Sequence, residues 1–178
     1  MPLPLDELQA RARRVRLLLL DVDGVLTDGT VTIDATGGEH KTFHIRDGLG
    51  IVWARREGLD VGFLSGRPSP VTERRAEELG VRIVSQCGPD KGRGYAELVA
   101  ARHLDDADVA YMGDDLLDLP VFRRVGLTAA PADAVEDVRA RAHWVSRYNG
   151  GRGAVREFVE LLLAARGAWT DLVRTYVD

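Results

Sequence analysis

Asp21 and Asp23 stand two positions apart at the end of the apolar run Leu17-Leu18-Leu19-Leu20, and Gly24 follows at once. Side chains of an extended strand alternate, so both carboxylates point the same way. Two carboxylates that close repel each other unless a cation sits between them. A second acidic strand end occurs at Gly113-Asp114-Asp115-Leu116-Leu117-Asp118, after Val109 to Met112. Octahedral Mg2+ takes one or two carboxylates, keeps several waters and leaves a place for a phosphate oxygen. Asp114 is best placed for such an ion, whereas Asp115 and Asp118 suit capping the next helix equally well. Ser65 closes Val61 to Leu64, and Lys91 opens a helix after Gly88-Pro89-Asp90. A hydroxyl and an ammonium at neighbouring strand ends are suited to neutralising a transferring phosphoryl group.

Something must bring these four segments together. Short apolar runs alternate with amphipathic stretches, which is how parallel strands covered on both faces by helices look in sequence. The pattern predicts strands at Val15 to Val22, Val61 to Ser65, Val81 to Ser85, Val109 to Gly113 and Gly126 to Ala130, with an edge strand at Trp144 to Ser146. The spacings of Tyr95, Leu98, Val99 and Arg102, and of Val155, Phe158, Val159 and Leu162, predict two intervening helices. A last stripe, Trp169, Leu172, Val173 and Tyr176, predicts a helix that packs on the core or on a partner. Between Gly29 and Ile45 the alternation breaks, and Val31 and Ile33 with a turn at Thr36-Gly37-Gly38 predict a β-hairpin insertion. The fold class is therefore an α/β, Rossmann-like, mostly parallel sheet. Ligands bind such sheets at the carboxyl ends of the strands.

The 178 residues suit one domain, 1–178, and 45% apolar with 29% charged residues excludes a disordered chain. With 24 basic against 28 acidic residues and arginines scattered along the chain, a nucleic-acid-binding surface is not expected. The N-terminal stretch carries no long apolar run and Cys87 is the single cysteine, so a membrane span, a disulfide and a cysteine zinc cluster are not expected, and the cytoplasm is. His40, His44, His103 and His143 lack metal-ligand spacing and read as structural. Cys87 reads as a small buried apolar residue.

Asp-x-Asp, Ser, Lys and Gly-Asp-Asp-x-x-Asp in this order resemble the haloacid dehalogenase superfamily of aspartate-nucleophile phosphatases. Within it, His44-Ile-Arg-Asp-Gly-Leu-Gly-Ile51, Leu64-Ser-Gly-Arg67 and Gly150-Gly-Arg-Gly-Ala-Val-Arg-Glu157 resemble the 3-deoxy-D-manno-octulosonate 8-phosphate phosphatase family, over about Val15 to Ala165. The resemblance implies Asp21 as nucleophile and Asp23 as general acid/base. It implies Asp21, the Asp23 backbone carbonyl and Asp114 as Mg2+ ligands, with Asp115 and Asp118 in the outer shell. Ser65 and Lys91 would bind phosphoryl oxygens. Arg46, Arg67 and Arg152 are candidate substrate contacts, because a sugar acid offers a carboxylate to a guanidinium fork, and Thr27 is a further candidate. Family members lack a cap domain and form homotetramers in which a hairpin of one subunit helps close the site of the next. An isolated two-stranded hairpin is marginal in water, which favours the same assembly here.

Three other readings share parts of this pattern. A phosphoacceptor receiver module also uses acidic strand ends with Ser or Thr and Lys, but its acceptor lies mid-chain without Asp-x-Asp-Gly. A phosphatase for a nine-carbon keto sugar acid phosphate, or an accessory subunit of an aryl phosphate carboxylase, shares the fold and the phosphoryl machinery.

Overall fold

The computed structural model describes residues 2–177, in the chain order α1 Leu5–Arg14, β1 Leu17–Leu20, β2 Thr32–Ile33, β3 Glu39–His40, α2 Ile45–Arg56, β4 Asp60–Ser65, α3 Pro70–Glu78, β5 Ile83–Gln86 and α4 Lys91–Arg102. There follow β6 Val109–Met112, α5 Leu119–Phe122, β7 Leu127–Ala130, α6 Glu136–Arg139, β8 Trp144–Val145, α7 Ala154–Ala165 and α8 Ala168–Val177. Six strands form one parallel sheet in the order β5-β4-β1-β6-β7-β8. β1 is central, with Leu20 level with Phe63 of β4 and Met112 of β6.

All four leucines of β1 are fully buried. Leu18 and Leu20 enter the core layer shared with α1, α2 and α7, while Leu17 and Leu19 enter the layer under α4, α5 and α6. A strand with apolar side chains on both faces cannot satisfy itself at a sheet edge, so it sits in the middle, and whatever follows it emerges at the centre of the sheet's carboxyl end. The predicted strands are all present, most of them shorter than the apolar runs that announced them. Among the described residues no helix is long and apolar enough to cross a membrane.

Two elements differ from expectation. Residues 5–14, for which the pattern predicts no element, form α1, an exposed helix that buries only Leu8 and Ala12. The hairpin pairs only Thr32 with His40 and Ile33 with Glu39. Its turn is organised by Asp34, whose carboxylate accepts from the backbone N–H groups of Thr36 (2.8 Å) and Gly38 (2.9 Å), a local side-chain turn that short polar residues favour. Ile33 and Ile45 are 66% and 76% exposed in the single chain, and Phe43 is half-buried under the Arg75 guanidinium.

The last helix packs on its own chain. Trp169 meets Trp53 of α2 with ring centroids 5.8 Å apart, the Trp53 indole donates to the Tyr176 hydroxyl at 3.1 Å, and Arg156 of α7 lies 4.1 Å over the Trp53 ring.

Candidate active site

β1, β4 and β6 end side by side, and their ends, with the start of α4, enclose a cleft of about 340 Å³ lined by Asp21, Asp23, Ser65, Arg67, Lys91, Asp114 and Asp115, among others. Asp21 is buried, and its N–H continues the sheet by donating to the Met112 carbonyl (3.0 Å). Lys91, at the first turn of α4, is buried too and places Nζ 2.8 Å from Asp21 Oδ1 and 2.6 Å from Asp118 Oδ1. Burial works against that ammonium, but Asp21 and Asp118 outweigh it and hold it protonated.

Asp118 is the anchor of the arrangement. Its Oδ1 accepts from Lys91 and from the Tyr111 hydroxyl (2.6 Å), and its Oδ2 from the N–H groups of Asp114 (2.8 Å) and Asp115 (3.1 Å). Four donors leave it little to offer an ion, so it orients the loop that carries Asp114, which suits an outer position. Asp115 caps the following turn by accepting from Leu116 N–H and stays exposed at the rim.

Asp21, Asp114 and Asp118 each bring one carboxylate oxygen within 4.8 Å of the other two. Burial, then the charge of Asp118, raises the Asp21 carboxyl to about 6 against the pull of Lys91. Burial, then Asp21 and Asp118, pushes Asp114 to about 9. Asp114 Oδ1 is buried with no hydrogen-bond partner. An orphaned carboxylate oxygen facing a second crowded carboxylate is the donor set a hard divalent cation completes. Gly24, at φ +93°, passes so close that a β-carbon there would run into the Asp114 carboxylate.

Ser65, nearly fully buried, lines the cleft and braces its own loop, accepting from Arg67 N–H (3.2 Å) and donating to the Arg67 carbonyl (3.1 Å). The Arg67 guanidinium lies at the rim, 2.6 Å from Glu39 of β3. Three of the expected substrate contacts are not brought here within the chain. Thr27 is wholly buried and its hydroxyl is spent on the turn, accepting from the N–H groups of Gly24 and Gly29 and donating to the Val22 carbonyl. Arg46 and Arg152 line a different, larger cavity between α2, α7 and α8. Arg152 is turned to Asp28 (3.3 Å). The Gly150-Gly151 turn packs on the backbone of Gly24 and Thr27, where a β-carbon would not fit. That part of the motif fastens the loop after β1 rather than presenting Arg152 to the cleft.

Sequence reasoning missed Tyr111, Glu39 and Lys41. Lys41 follows β3 with a side chain fully shielded from solvent and Nζ 2.7 Å from Asp23 Oδ1. Cys87 is half-buried, and burial pushes its thiol up, as for an unreactive side chain.

A haloacid dehalogenase-like hydrolase family model matches residues 81–159. The 3-deoxy-D-manno-octulosonate 8-phosphate phosphatase KdsC of Yersinia pestis is 44% identical over 161 residues, 90% of this chain and 86% of that protein. The chain belongs to the 3-deoxy-D-manno-octulosonate 8-phosphate phosphatase family. A phosphatase of this family from Moraxella catarrhalis, solved with magnesium ion, phosphate ion and KDO, superposes with a TM-score of 0.94 at 33% identity, over 97% of this chain and 99% of that one. The cobalt-bound family member from Haemophilus influenzae gives a TM-score of 0.89 at 35% identity, over 94% and 99%.

Proposed function

We propose that this chain is a Mg2+-dependent phosphomonoesterase that hydrolyses 3-deoxy-D-manno-octulosonate 8-phosphate through an aspartyl-phosphate. The observation that carries the reading is the buried Asp21, held by Lys91 beside the orphaned oxygen of Asp114. Asp21 and Asp114 would hold the ion, with the backbone carbonyl of Asp23. Magnesium, when bound, offsets the crowded negative charge of the carboxylates and of the phosphoryl oxygens.

The protein's own groups do the rest. Asp21 attacks phosphorus as the ester P–O bond breaks, and Asp23 delivers a proton to the departing sugar oxygen. A water then attacks the aspartyl-phosphate while Asp23 takes its proton, releasing inorganic phosphate and restoring Asp21. Lys91 and Ser65 hold the phosphoryl oxygens, with the ammonium pinned between Asp21 and Asp118 so that little reorganisation accompanies the reaction. Arg67, half-buried at the rim, is placed to take the sugar acid's carboxylate.

A homotetramer in the cytoplasm fits this reading. The hairpin's exposed Ile33 and the adjoining Ile45 need a surface that the single chain does not supply, and a neighbour would supply it. Light scattering on the native chain and on one with the hairpin shortened to a tight turn checks the assembly, a drop to dimers or monomers being expected. The substrate is tested by kcat/KM on a panel of phosphorylated sugar acids with Mg2+. The eight-carbon keto acid 8-phosphate is expected to lead the panel. Preference for the nine-carbon homologue or an aryl phosphate would overturn the substrate while leaving the phosphatase.

A further inference from the structure

Two buried lysines serve this site, one for each aspartate of the Asp-x-Asp pair. Lys91 grips Asp21. Lys41 grips Asp23, with Nζ 2.7 Å from Oδ1 and 3.0 Å from Oδ2. Its other neighbours are Thr72 Oγ1 at 3.4 Å and Glu39 Oε1 at 3.7 Å. Taking an ammonium out of water costs several kcal/mol, which only close and well-aimed partners repay. A lysine in a surface ribbon would ordinarily keep its head in solvent. Here the head is fully enclosed.

The hairpin is fixed so that this reach is reproducible. Glu39 accepts from Ser69 Oγ (2.5 Å) and pairs with Arg67 (2.6 Å), tying β3 to the loop between β4 and α3. Among the described residues Lys41 is the one hydrogen-bond donor to the Asp23 carboxylate. Asp23 is about a quarter exposed at the cleft, so without that donor several rotamers are open to it, and a proton donor that wanders by an ångström loses much of its effect.

We propose that Lys41 is a positioning residue: it reaches from the hairpin to hold the Asp23 carboxyl aimed at the leaving-group oxygen of the substrate. The proposal rests on the reading of Asp23 as general acid/base and adds the group that orients it. It also gives the hairpin a task inside its own chain, apart from any part in assembly.

The test uses the full chain with Mg2+ and two substrates, the keto sugar acid 8-phosphate, whose alkoxide needs a proton to leave, and p-nitrophenyl phosphate, whose phenolate does not. Lys41→Met is expected to lower kcat on the sugar phosphate by on the order of 30-fold with KM nearly unchanged, and kcat on the aryl phosphate by at most about threefold. Lys41→Arg, or ethylammonium added to Lys41→Ala, restores a large part of the loss. Where Lys41→Met does not fold by circular dichroism, Lys41→Gln carries the same comparison. Equal losses on both substrates, a loss confined to KM, or no rescue would overturn the proposal. Asp23→Asn is measured in parallel. If it lacks the leaving-group dependence, the reading of Asp23 fails and this one with it; if it shows the dependence and Lys41→Met does not, only the role of Lys41 fails.

Discussion

Two regions of the molecule bring arginines or lysines together with carboxylates around a cavity, and they do so in opposite ways. The larger, about 650 Å³ between α2, α7 and α8, is lined by Arg46, Arg147, Arg152 and Arg156 with Trp53, Trp169 and Tyr176. There Arg156 pairs with Glu160 one helical turn away and Arg147 with Glu157, so these charges are neutralised locally on an accessible surface, an arrangement worth little energy. The smaller cleft at the ends of β1, β4 and β6 holds buried carboxylates that share one buried lysine and are still left short of positive charge. Volume and arginine count favour the first region. Unresolved buried charge singles out the second, because such charge costs stability unless a ligand repays it.

That contrast can be broken most decisively at Asp21. Asp21→Asn is expected to lower kcat by at least on the order of 10⁴ while leaving the far-ultraviolet circular dichroism unchanged. A variant that keeps a tenth of the activity would remove the nucleophile from this cleft.

The unresolved charge itself is read by thermal melting against pH. Asp114 stands at about 9 and Asp21 at about 6 in the folded chain, both above the ordinary 3.8. The folded state therefore keeps protons that the unfolded chain releases. The contribution of these two carboxyls to metal-free stability is fullest below about pH 4 and is lost as pH rises through 6 and towards 9. A cation that takes the place of those protons recovers the loss, so the gain in Tm on adding Mg2+ is expected to grow between pH 6 and 9 by several degrees, each kcal/mol being worth about 3 °C in a domain of this size. A gain that is flat with pH would mean that Mg2+ binds elsewhere.

The arginines give the smallest effects and sharpen the contrast. Arg67→Ala is expected to raise KM for a sugar acid phosphate by about tenfold and for a neutral phosphomonoester by much less. Arg46→Ala and Arg152→Ala are each expected to change either KM by less than about twofold. A large loss at Arg46 or Arg152 would show that the second region faces a neighbour's cleft in the assembled protein.

Legibility in the sequence followed distance along the chain. β1 was readable because four apolar residues in a row can be buried only in a central strand. Asp21, Ser65 and Asp114 were readable because each closes or directly follows such a run. α1 was not, since Leu8 and Ala12 alone make too thin a stripe to separate a helix from a polar lead-in. Asp118 was legible as a capping residue, but its bonds to Lys91 and Tyr111 depend on how α4 and β6 pack. Lys41 lies 18 residues from Asp23, and the turn built on Asp34 sets where it lands. Thr27, Arg46 and Arg152 lie away from the cleft within the single chain; a motif announces that residues matter without saying whether they fasten a loop or touch a ligand.

The aromatic junction of the last helix has an optical consequence. Of the three tryptophans in the chain, Trp53 and Trp169 share one contact beneath Arg156, and Trp144 stacks on Phe158 with ring centroids 5.2 Å apart. None lines the catalytic cleft. Indole emission is sensitive to a neighbouring cation and to exposure, so the intrinsic fluorescence of this protein reports the seating of α8 and is nearly silent to events at Asp21. Undocking that helix would change the emission while turnover continued, and filling the cleft with phosphate would leave the spectrum where it was.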